Sequence, residues 1–479
     1  MSQKKNSLYN IIGLGIPLIV GIVVIPILIS QLGESKFGIL TLIWALIGYF
    51  SVFDLGLGRS LTLNLSRALS KNYFKIIGPI FYTSCISIFF ISLILSIFIF
   101  FSFIFLSSFY FTDFFVSNEI SNSVYIITIF LPLIILIAAL RGTLESLDLF
   151  GIINFIRLPT GVLTFTAPLI SIYFFGSRMD MIVLSLIIVK LISFSFYLFF
   201  SLTKLREFNP KYLFKKRLLN PLIYTGGWMT VSNLVSPLMG YLDRFILAYL
   251  ISTAAVAYYV TPFEIVSKIW IIPGSLTLTL FPFFSFNSEK KNSTELIRMF
   301  KKSSYTIFLI VFPISLFFAF FSTEILSIWI NEEFSIKSSL LLKIFSFGIF
   351  FNCLVHIPFT LLQASGFSKA TAIIHTAQLP IFVFFLFLLT NIYGLIGTAI
   401  AWILRMFIDA FLMYYFCFKR LNWDPSKFLN YRLIFLILIS ITLFYLSHLN
   451  LIIFKLVLLL ICMLFSALQL RKIIFNEKS

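Results

Sequence analysis

Apolar runs alternate with short polar or turn segments along this chain, and their lengths predict a series of membrane-spanning helices. A spanning helix needs roughly 20 apolar residues, and runs of about that length or longer recur throughout the sequence. They predict fourteen helices, near residues 9–30, 39–66, 76–107, 124–148, 152–175, 181–203, 222–249, 254–285, 304–328, 338–365, 371–390, 394–416, 433–447 and 450–470. The predicted fold class is therefore an all-α integral membrane protein.

Composition supports this class and excludes an ordinary water-soluble protein. Of the 479 residues, 60% are hydrophobic and 11% are charged, whereas a soluble domain is about 45–50% apolar and about 25% charged. Fourteen helices and their short connections leave no room for a separate catalytic domain. The net charge of +18 would suggest nucleic acid as a partner of a soluble protein, but here the distribution of the cations gives another reason for it.

The cations follow the positive-inside rule, by which Lys and Arg concentrate in cytoplasmic loops. If the N-terminus is cytoplasmic, 27 of the 36 Lys and Arg residues lie in or beside cytoplasmic segments. The external loops then carry only Lys36, Arg178 and Lys337. We therefore expect both termini in the cytoplasm, membrane lipids rather than nucleic acid as the partner of the basic loops, and a plasma-membrane location.

A basic segment at residues 204–221 divides the helices into six before it and eight after it. It is predicted to be a cytoplasmic linker lying on anionic headgroups. The predicted domains are a six-helix bundle at 1–203, this linker, a second six-helix bundle at 222–416, and two additional helices at 417–479. A linker at this point is typical of transporters built from two parallel repeats.

Ionisable residues inside the predicted helices are the candidate functional residues, because a charge at mid-bilayer usually faces a cavity or a partner. Two pairs lie four residues apart and share a helix face: Glu264 with Lys268, and Arg405 with Asp409. Each pair is either a structural ion pair or part of a wet cavity. Asp243 and Arg244 are adjacent and point about 100° apart, so at least one needs a partner elsewhere.

Lys190 is the one central lysine with no acid within a turn of its own helix. It either pairs with Asp54 or Asp243, or it binds an anionic ligand. Lys343 and Lys455 lie near helix ends and are expected to reach the interface.

Asp54 opens the segment DLGLGR, which ends at Arg59 and whose two glycines interrupt the second predicted helix. Helix breaks at this depth are tolerated where they face protein or water. This segment is therefore a further candidate for the lining of a cavity.

The sequence contains no motif that indicates catalysis. No GxxxxGK[ST] motif occurs, and His356, His375 and His448 have no neighbouring metal ligands. The four cysteines are scattered without CxxC spacing and are expected to be free thiols. The sequence thus predicts no catalytic residue, no metal site and no enzyme.

Residues 31–61, QLGESKFGILTLIWALIGYFSVFDLGLGRSL, resemble the first loop and second helix of bacterial polysaccharide flippases. These belong to the multidrug/oligosaccharidyl-lipid/polysaccharide exporter superfamily. Three later stretches agree with the resemblance, DRFILAY at 243–249, LLQASGFSK at 361–369 and YGLIGTAIAWIL at 393–404. The loop ISTAAVAYY after DRFILAY departs from relatives that often have glycines there.

The resemblance implies two six-helix bundles around a central cavity, and the transport of an O-antigen or capsule repeat unit linked to undecaprenyl diphosphate. It implies movement from the cytoplasmic to the periplasmic leaflet by alternating access, with no bound cofactor. The coupling ion stays open among protons, sodium and none. A polysaccharide polymerase and a chain-length regulator are further partners of such a pathway.

The cavity of such a flippase would meet a diphosphate and uncharged sugars. Among the residues embedded in predicted helices, six Lys or Arg stand against four Asp or Glu, a slight cationic excess. Five cations are the predicted ligands of the diphosphate and sugar, and four acids are predicted to pair or to couple. The cations are Arg59, Lys190, Arg244, Lys268 and Arg405, and the acids are Asp54, Asp243, Glu264 and Asp409.

Two other functions compete with this interpretation. A multidrug exporter of the same superfamily would favour an acidic cavity, but the first predicted helix has no carboxylate. A membrane polysaccharide polymerase would need a large external loop, and the longest one predicted is residues 108–123, with Asp113 and Glu119 as its only acids.

Overall fold

The computed structural model describes most of the chain as α-helix. The described residues are 3–50, 57–109, 118–208, 211, 213–218, 235, 238–289, 293–424, 442–446 and 451–475. They fall into two compact units, Met1–Tyr241 and Leu242–Ser479. The predicted boundaries at 203, 222 and 416 stay predictions.

In the first unit, long apolar runs form helices that pack on one another. Helix α5 packs on α1 and α6, and α4 packs on α2, α3 and α6. Part of the predicted linker lies on this unit, since the Lys215 backbone N–H donates to Thr83 Oγ1 of α3 at 3.0 Å. The helices are α1 (Gln3–Phe50), α2 (Leu57–Ser70), α3 (Ile77–Phe109), α4 (Asn118–Ser146), α5 (Phe150–Phe175) and α6 (Met179–Arg206).

In the second unit, α12 is the central helix and packs on α8, α9, α10, α11 and α13. The chain enters this unit along α7, residues 238–250. The helices that follow are α8 (Thr253–Ser267), α9 (Ile271–Glu289), α10 (Ser293–Phe320), α11 (Ser322–Trp329), α12 (Glu332–Ala364), α13 (Ser368–Leu421), α14 (residues 442–446) and α15 (Ile452–Phe475).

Ten helices among the described residues are long and apolar enough to cross a membrane. Two of them break at a glycine with positive φ, α1 at Gly33 (φ 71°) and α13 at Gly394 (φ 58°). These are the positions where the sequence predicts short turns between two spans. The predicted count of about fourteen is compatible with this arrangement, because the predicted helices 222–249 and 433–447 are described only in part.

One predicted helix, 304–328, is wrong at both ends. Helix α10 begins at Ser293, and its first turns carry Arg298, Lys301 and Lys302. A hydropathy criterion excludes such charged turns. At the other end α10 stops at Phe320, and α11 forms a separate helix.

The predicted external loops of the first unit meet at one end of it. Lys36 Nζ donates to the Ser177 carbonyl at 2.7 Å and lies 3.5 Å from Glu119 Oε2. The same carboxylate oxygen accepts the Met179 backbone N–H at 3.1 Å. These contacts tie together the break of α1, the start of α4 and the turn between α5 and α6, which the positive-inside rule assigns to one side.

Lys455 contributes to helix packing. Its Nζ donates to the carbonyl of Phe320 at 2.8 Å, and the side chain is buried. Phe320 is the last residue of α10, where unpaired carbonyls and the helix dipole favour a cation. Lys455 therefore attaches α15 to α10 and is not available to a ligand.

The close packing of α12 on α13 gives a testable prediction about stability. A methyl group at Gly348 would overlap the Trp402 ring and approach Ile403 Cγ1 to 2.9 Å. Overpacking of this kind costs about 1–3 kcal/mol. We expect Gly348→Ala to lower the melting temperature of the purified protein in detergent.

Gly274→Ala is the matched control, because a Cβ there in helix α9 meets nothing within 4 Å. Alanine is favoured over glycine inside a helix by roughly 0.5–1 kcal/mol. This variant should melt at the same or a higher temperature. Equal melting temperatures for Gly348→Ala and the wild type would contradict the packing.

Candidate functional site

Most of the candidate charges lie inside the second unit. Asp54 lies outside the described residues, and so does the side chain of Arg59. Lys190 lies in α6 of the first unit. The other six, Asp243, Arg244, Glu264, Lys268, Arg405 and Asp409, lie on α7, α8, the short 3-10 turn 268–270 and α13.

Asp243 faces Tyr259 across the hairpin that α7 and α8 form. The chain turns at Ile251–Ser252, and the Ser252 hydroxyl accepts the Ala255 N–H at 3.1 Å to cap α8. Each residue of the facing pair is eight positions from Ile251, so the two lie opposite each other. The Tyr259 hydroxyl donates to Asp243 Oδ2 at 2.7 Å, and both side chains are buried.

Arg244, Glu264 and Lys268 form a triad in which one carboxylate holds two cations. Lys268 Nζ donates to Glu264 Oε2 at 2.9 Å, and Arg244 Nη2 lies 3.4 Å from Glu264 Oε1. The predicted pair of Glu264 with Lys268 is thus present in the structure. The sequence predicted that Asp243 or Arg244 needs a partner on another helix, and Arg244 pairs with this same glutamate.

The triad lies at an irregular part of the helix. Residues Lys268–Trp270 form a single 3-10 turn between α8 and α9. Such turns inside a helix often mark a hinge or strain. The Arg244 side chain is 7% exposed, whereas Glu264 is 33% and Lys268 42% exposed. An incoming anion could therefore reach Lys268 first.

Helix α13 folds back on itself at Gly394, and polar side chains cross between its two halves. Gln378 Nε2 donates to Asp409 Oδ1 at 3.0 Å, and His375 Nε2 lies 3.4 Å from the same oxygen. Nearer the turn, the hydroxyls of Thr390 and Thr398 are 2.9 Å apart. The two halves are therefore antiparallel, with Asp409 bound across the hairpin.

Arg405 lies between the two groups of charges. Its guanidinium carbon is 5.3 Å from the centroid of the Phe382 ring, and it is within electrostatic range of both Asp243 and Asp409. The pairing of Arg405 with Asp409 stays a prediction. Asp409 has partners on the other half of α13 as well, which the sequence pattern did not indicate.

Together these side chains form a polar column through the apolar interior of the second unit. An α-helix rises about 1.5 Å per residue, so Asp243 lies about 12 Å from the α7–α8 turn and Asp409 about 22 Å from Gly394. The aromatic rings of Phe263, Phe345 and Trp402 pack edge to face beside it. The column comprises Asp243, Arg244, Tyr259, Glu264, Lys268, His375, Gln378, Arg405 and Asp409.

The column carries three acids and three permanent cations, so it is balanced when His375 is neutral. The cationic excess expected from the sequence arises elsewhere. Lys455 is bound to a backbone carbonyl, as described above, and Lys343 lies within electrostatic range of Lys455 and Glu324. Of the embedded cations, Lys190 remains.

Lys190 is half-buried on α6, on the face of the buried residues Ile187 and Ser193. Within the part of the chain that the structure describes, no hydrogen-bond acceptor or acid pairs with its ammonium group. Such a lysine needs water or an anion to stay charged. The structure therefore leaves the anionic-ligand alternative open for Lys190.

Three residues of the column, Tyr259, Gln378 and His375, were missed by reasoning from charge spacing along single helices. A signal for them existed in the sequence. In a helical hairpin, residues equally distant from the turn lie opposite each other. Counting from Ile251 places Tyr259 opposite Asp243, and counting from Gly394 places Gln378 near Asp409.

Metal binding finds no support among the described residues, which contain no group of three or more His, Cys, Asp or Glu side chains suited to a metal ion. The two histidines near Asp409, His375 and His356, lie beside a single carboxylate.

Comparison with known proteins shows clear relatives of this chain. The family model described as "Polysaccharide biosynthesis protein" matches residues 4–288, and the MatE family model matches residues 229–389. A protein of Shigella flexneri that carries the provisional name of O-antigen transporter is 32% identical over 428 residues. These are 86% of this chain and 97% of that protein.

Solved structures share the fold at low identity. The inward-facing conformation of a multidrug resistance MATE family transporter has a TM-score of 0.72 at 13% identity, over 86% of this chain and 98% of that one. The lipid II flippase MurJ in an inward closed conformation has a TM-score of 0.68 at 16% identity, over 98% of this chain and 99% of that one. The expected transporter fold is therefore confirmed.

Proposed function

Because this chain belongs to the polysaccharide biosynthesis protein family, we propose that it is a flippase for undecaprenyl-diphosphate-linked oligosaccharides. It moves a repeat unit of O-antigen or capsule from the cytoplasmic to the periplasmic leaflet of a bacterial inner membrane. Its termini are cytoplasmic, and it works by transport without enzymatic turnover. The observation that carries the proposal is the match of nearly the whole chain to the Shigella protein.

The chemistry of the substrate suits the polar column and Lys190. A diphosphate needs cations in a wet site, and the sugars need hydrogen-bonding groups, while the polyprenyl tail can stay in lipid. Arg244, Lys268 and Arg405 can each donate to phosphate oxygens. Glu264 and Asp409 hold these cations between cycles, since a paired charge costs less to keep in the membrane than a free one.

Binding then amounts to an exchange of counterions. Lys268 is the more exposed cation of the triad, and a phosphate oxygen can replace Glu264 as its partner. Arg244 stays bound to Glu264 during this exchange, so that the carboxylate is not left alone. Alternating access would carry the diphosphate past these groups while the tail remains in the bilayer.

Genetic complementation tests this function against its main competitor. A strain lacking its own O-antigen flippase should recover surface polysaccharide when this gene is expressed, as seen on a gel of its lipopolysaccharide. The same strain is scored for resistance to cationic drugs, because the MATE fold also serves multidrug transporters. Drug resistance without recovered polysaccharide, at normal expression, would favour the exporter.

Arg405→Ala is expected to reduce flipping of the lipid-linked substrate about 10-fold to 150-fold. Loss of a hydrogen bond to a charged group costs about 1.5–3 kcal/mol. Arg405→Lys should restore part of the rate, because lysine keeps the charge without bidentate geometry. The measurement is flipping in reconstituted vesicles, normalised to inserted protein. Wild-type activity of Arg405→Ala would make this residue structural.

A further inference from the structure

A group of polar side chains that the proposed function does not use lies in the first unit, where α4 and α5 both pack on α6. Arg141 is on α4, Arg157 on α5 and Tyr197 on α6. The two arginines are each eight positions from Leu149, which lies in the turn between α4 and α5. They therefore lie at the same level of the two helices that this turn joins.

The two arginines share a single carboxylate. Arg141 Nε lies 3.3 Å from Glu145 Oε1 on the same helix. The Arg157 guanidinium is within electrostatic range of both Arg141 and Glu145. It forms no hydrogen bond or ion pair with its side chain in the part of the chain that the structure describes. Two cations and one acid leave a net charge of +1, and the repulsion between the cations favours an anion beside them.

Tyr197 supplies a third donor to this group. Its ring packs in the hydrophobic core of the unit, and the residue is 4% exposed. Its hydroxyl forms no hydrogen bond with any described residue, and Arg141 and Arg157 are both within electrostatic range of it. Buried hydroxyl-bearing side chains usually have a hydrogen-bond partner. An anion held by the two guanidinium groups would supply the acceptor that this phenol does not find in the protein.

The group lies at the depth of lipid phosphates. Helices α4 and α5 have 29 and 26 residues and are thus about 39–44 Å long, so their ends extend roughly 5–7 Å beyond a hydrocarbon core of about 30 Å. Arg141 is about 8 Å from Ser146, and Arg157 about 10 Å from Phe150, along their helices. Both are therefore near the boundary between hydrocarbon and headgroups. The positive-inside rule assigns this end to the cytoplasm.

Helix α6 connects this group with Lys190. Tyr197 and Lys190 are seven positions apart, so they differ by only about 20° in direction and by about 10 Å in depth. Both lie on the face of α6 that carries Ser193. An anion that moves inward from the arginines along this face would meet Tyr197 first and Lys190 next.

We propose that Arg141, Arg157 and Tyr197 form an entrance site for the diphosphate of the lipid-linked substrate, which then moves along α6 to Lys190. Each guanidinium can donate to phosphate oxygens in a bidentate manner, and the phenol hydroxyl adds one donor. Glu145 stays beside Arg141. A diphosphate has oxygens on two phosphorus atoms, which suits two arginines better than the single phosphate of a phospholipid headgroup. The identity of the ligand rests on the proposed function.

The site is tested by the binding of undecaprenyl diphosphate to the full-length protein in phosphatidylcholine nanodiscs. Arg141→Gln combined with Arg157→Gln should lower the affinity about tenfold or more, because hydrogen bonds to a charged ligand are lost. Undecaprenol, which has no phosphate, should bind equally to the wild type and to this double variant. Wild-type affinity of the double variant for undecaprenyl diphosphate would overturn the site.

Lys204→Gln combined with Arg206→Gln is the matched control. It also removes two positive charges, from exposed side chains in the last turn of α6, and it should keep the wild-type affinity. A loss as large as that of the arginine variant would show that general attraction, and not a built site, holds the diphosphate.

Tyr197→Phe separates ligand binding from packing, because it keeps the buried ring and removes only the hydroxyl. We expect its affinity for undecaprenyl diphosphate to fall about tenfold. Its melting temperature should not fall, since the hydroxyl has no hydrogen-bond partner among the described residues. A lower melting temperature with unchanged affinity would make Tyr197 structural and remove it from the site.

Nanodiscs with added phosphatidylglycerol distinguish the two lipid sources of phosphate. If the site belongs to the substrate, the wild type should still bind undecaprenyl diphosphate about tenfold or more tightly than the arginine variant. If phosphatidylglycerol abolishes this difference, the site belongs to phospholipid headgroups and the proposal is wrong.

The entrance site and the proposed function fail in different ways. Successful complementation together with equal binding by the wild type and the arginine variant overturns the entrance site alone. Failed complementation, together with no binding of undecaprenyl diphosphate by the wild type, contradicts the flippase and the entrance site with it.

Discussion

Replacing Lys190 by Ala should abolish export of surface polysaccharide while leaving the amount of folded protein in the membrane unchanged. Lys190 lies about 17 Å along α6 from Met179 and about 24 Å from Arg206, by the helical rise of about 1.5 Å per residue. This is too deep for easy escape to either interface. Among the described residues no acid pairs with Lys190, so removing the lysine leaves no carboxylate without its cation.

A structural role and a ligand role therefore predict different results at this position. If Lys190 has a structural role, its loss should lower the amount of folded protein. If it binds the ligand, its loss should lower only the export of polysaccharide. Lys190→Arg should retain part of the activity, since it keeps the positive charge. Lys204→Ala is the control on the same helix, because Lys204 is in the last turn of α6 and pairs with Glu207 at 2.8 Å.

Accessibility gives a second measurement of the same assignment. A cysteine at position 190 should react with a water-soluble thiol reagent after Cys85, Cys353, Cys417 and Cys462 are replaced. If that cysteine is unreactive with and without substrate, and Lys190→Ala exports polysaccharide at the wild-type rate, Lys190 is not a ligand of the diphosphate.

Glu264→Gln is expected to have the second-largest effect, a loss of folded protein. The substitution leaves Arg244 and Lys268 next to each other without their shared carboxylate. Removal of one partner from a buried ion pair costs about 3–5 kcal/mol, and the partial exposure of Glu264 places this case near the lower value. The readout is the fraction of monodisperse protein after detergent extraction and its melting temperature.

The triad also predicts how second substitutions behave. Lys268→Met alone should be mild, because Arg244 still holds Glu264. For the same reason, adding Lys268→Met to Glu264→Gln should restore only part of the stability, since Arg244 remains without the carboxylate. Full recovery in that double variant would show that Arg244 does not depend on Glu264.

Glu333→Gln is the matched control, because Glu333 and Lys337 have the same four-residue spacing at 2.8 Å but Glu333 is 74% exposed. Exposed pairs contribute little.

If Glu264 instead carries a coupling proton, Glu264→Gln should fold normally and lose its response to a pH gradient. A variant that folds normally and keeps that response would contradict both roles.

The sequence allows the helices to be predicted well because hydropathy depends on each residue alone. The turns at Gly33 and Gly394 and the pair of Glu264 with Lys268 follow from local spacing. Helix α10 was placed too late because its charged first turns are helical for reasons that hydropathy does not measure.

Partners across helices could not be predicted from spacing within one helix. The sharing of Glu264 by Arg244 and Lys268 depends on the rotation of α7 against α8. The contact of His375 with Asp409 depends in the same way on how the arms of α13 face each other. The partner of Lys455, the carbonyl of Phe320 at the end of α10, belongs to another helix and could not be predicted either.

The Gly394 turn restricts how this segment can change in length during evolution. One residue inserted between Gln378 and Gly394 would rotate the rest of that arm by about 100° and shift it by about 1.5 Å. The amide of Gln378 and the ring of His375 would then point away from Asp409. Insertions and deletions in related sequences should therefore be absent from both arms of α13 and should occur before Ser368 or after Leu421.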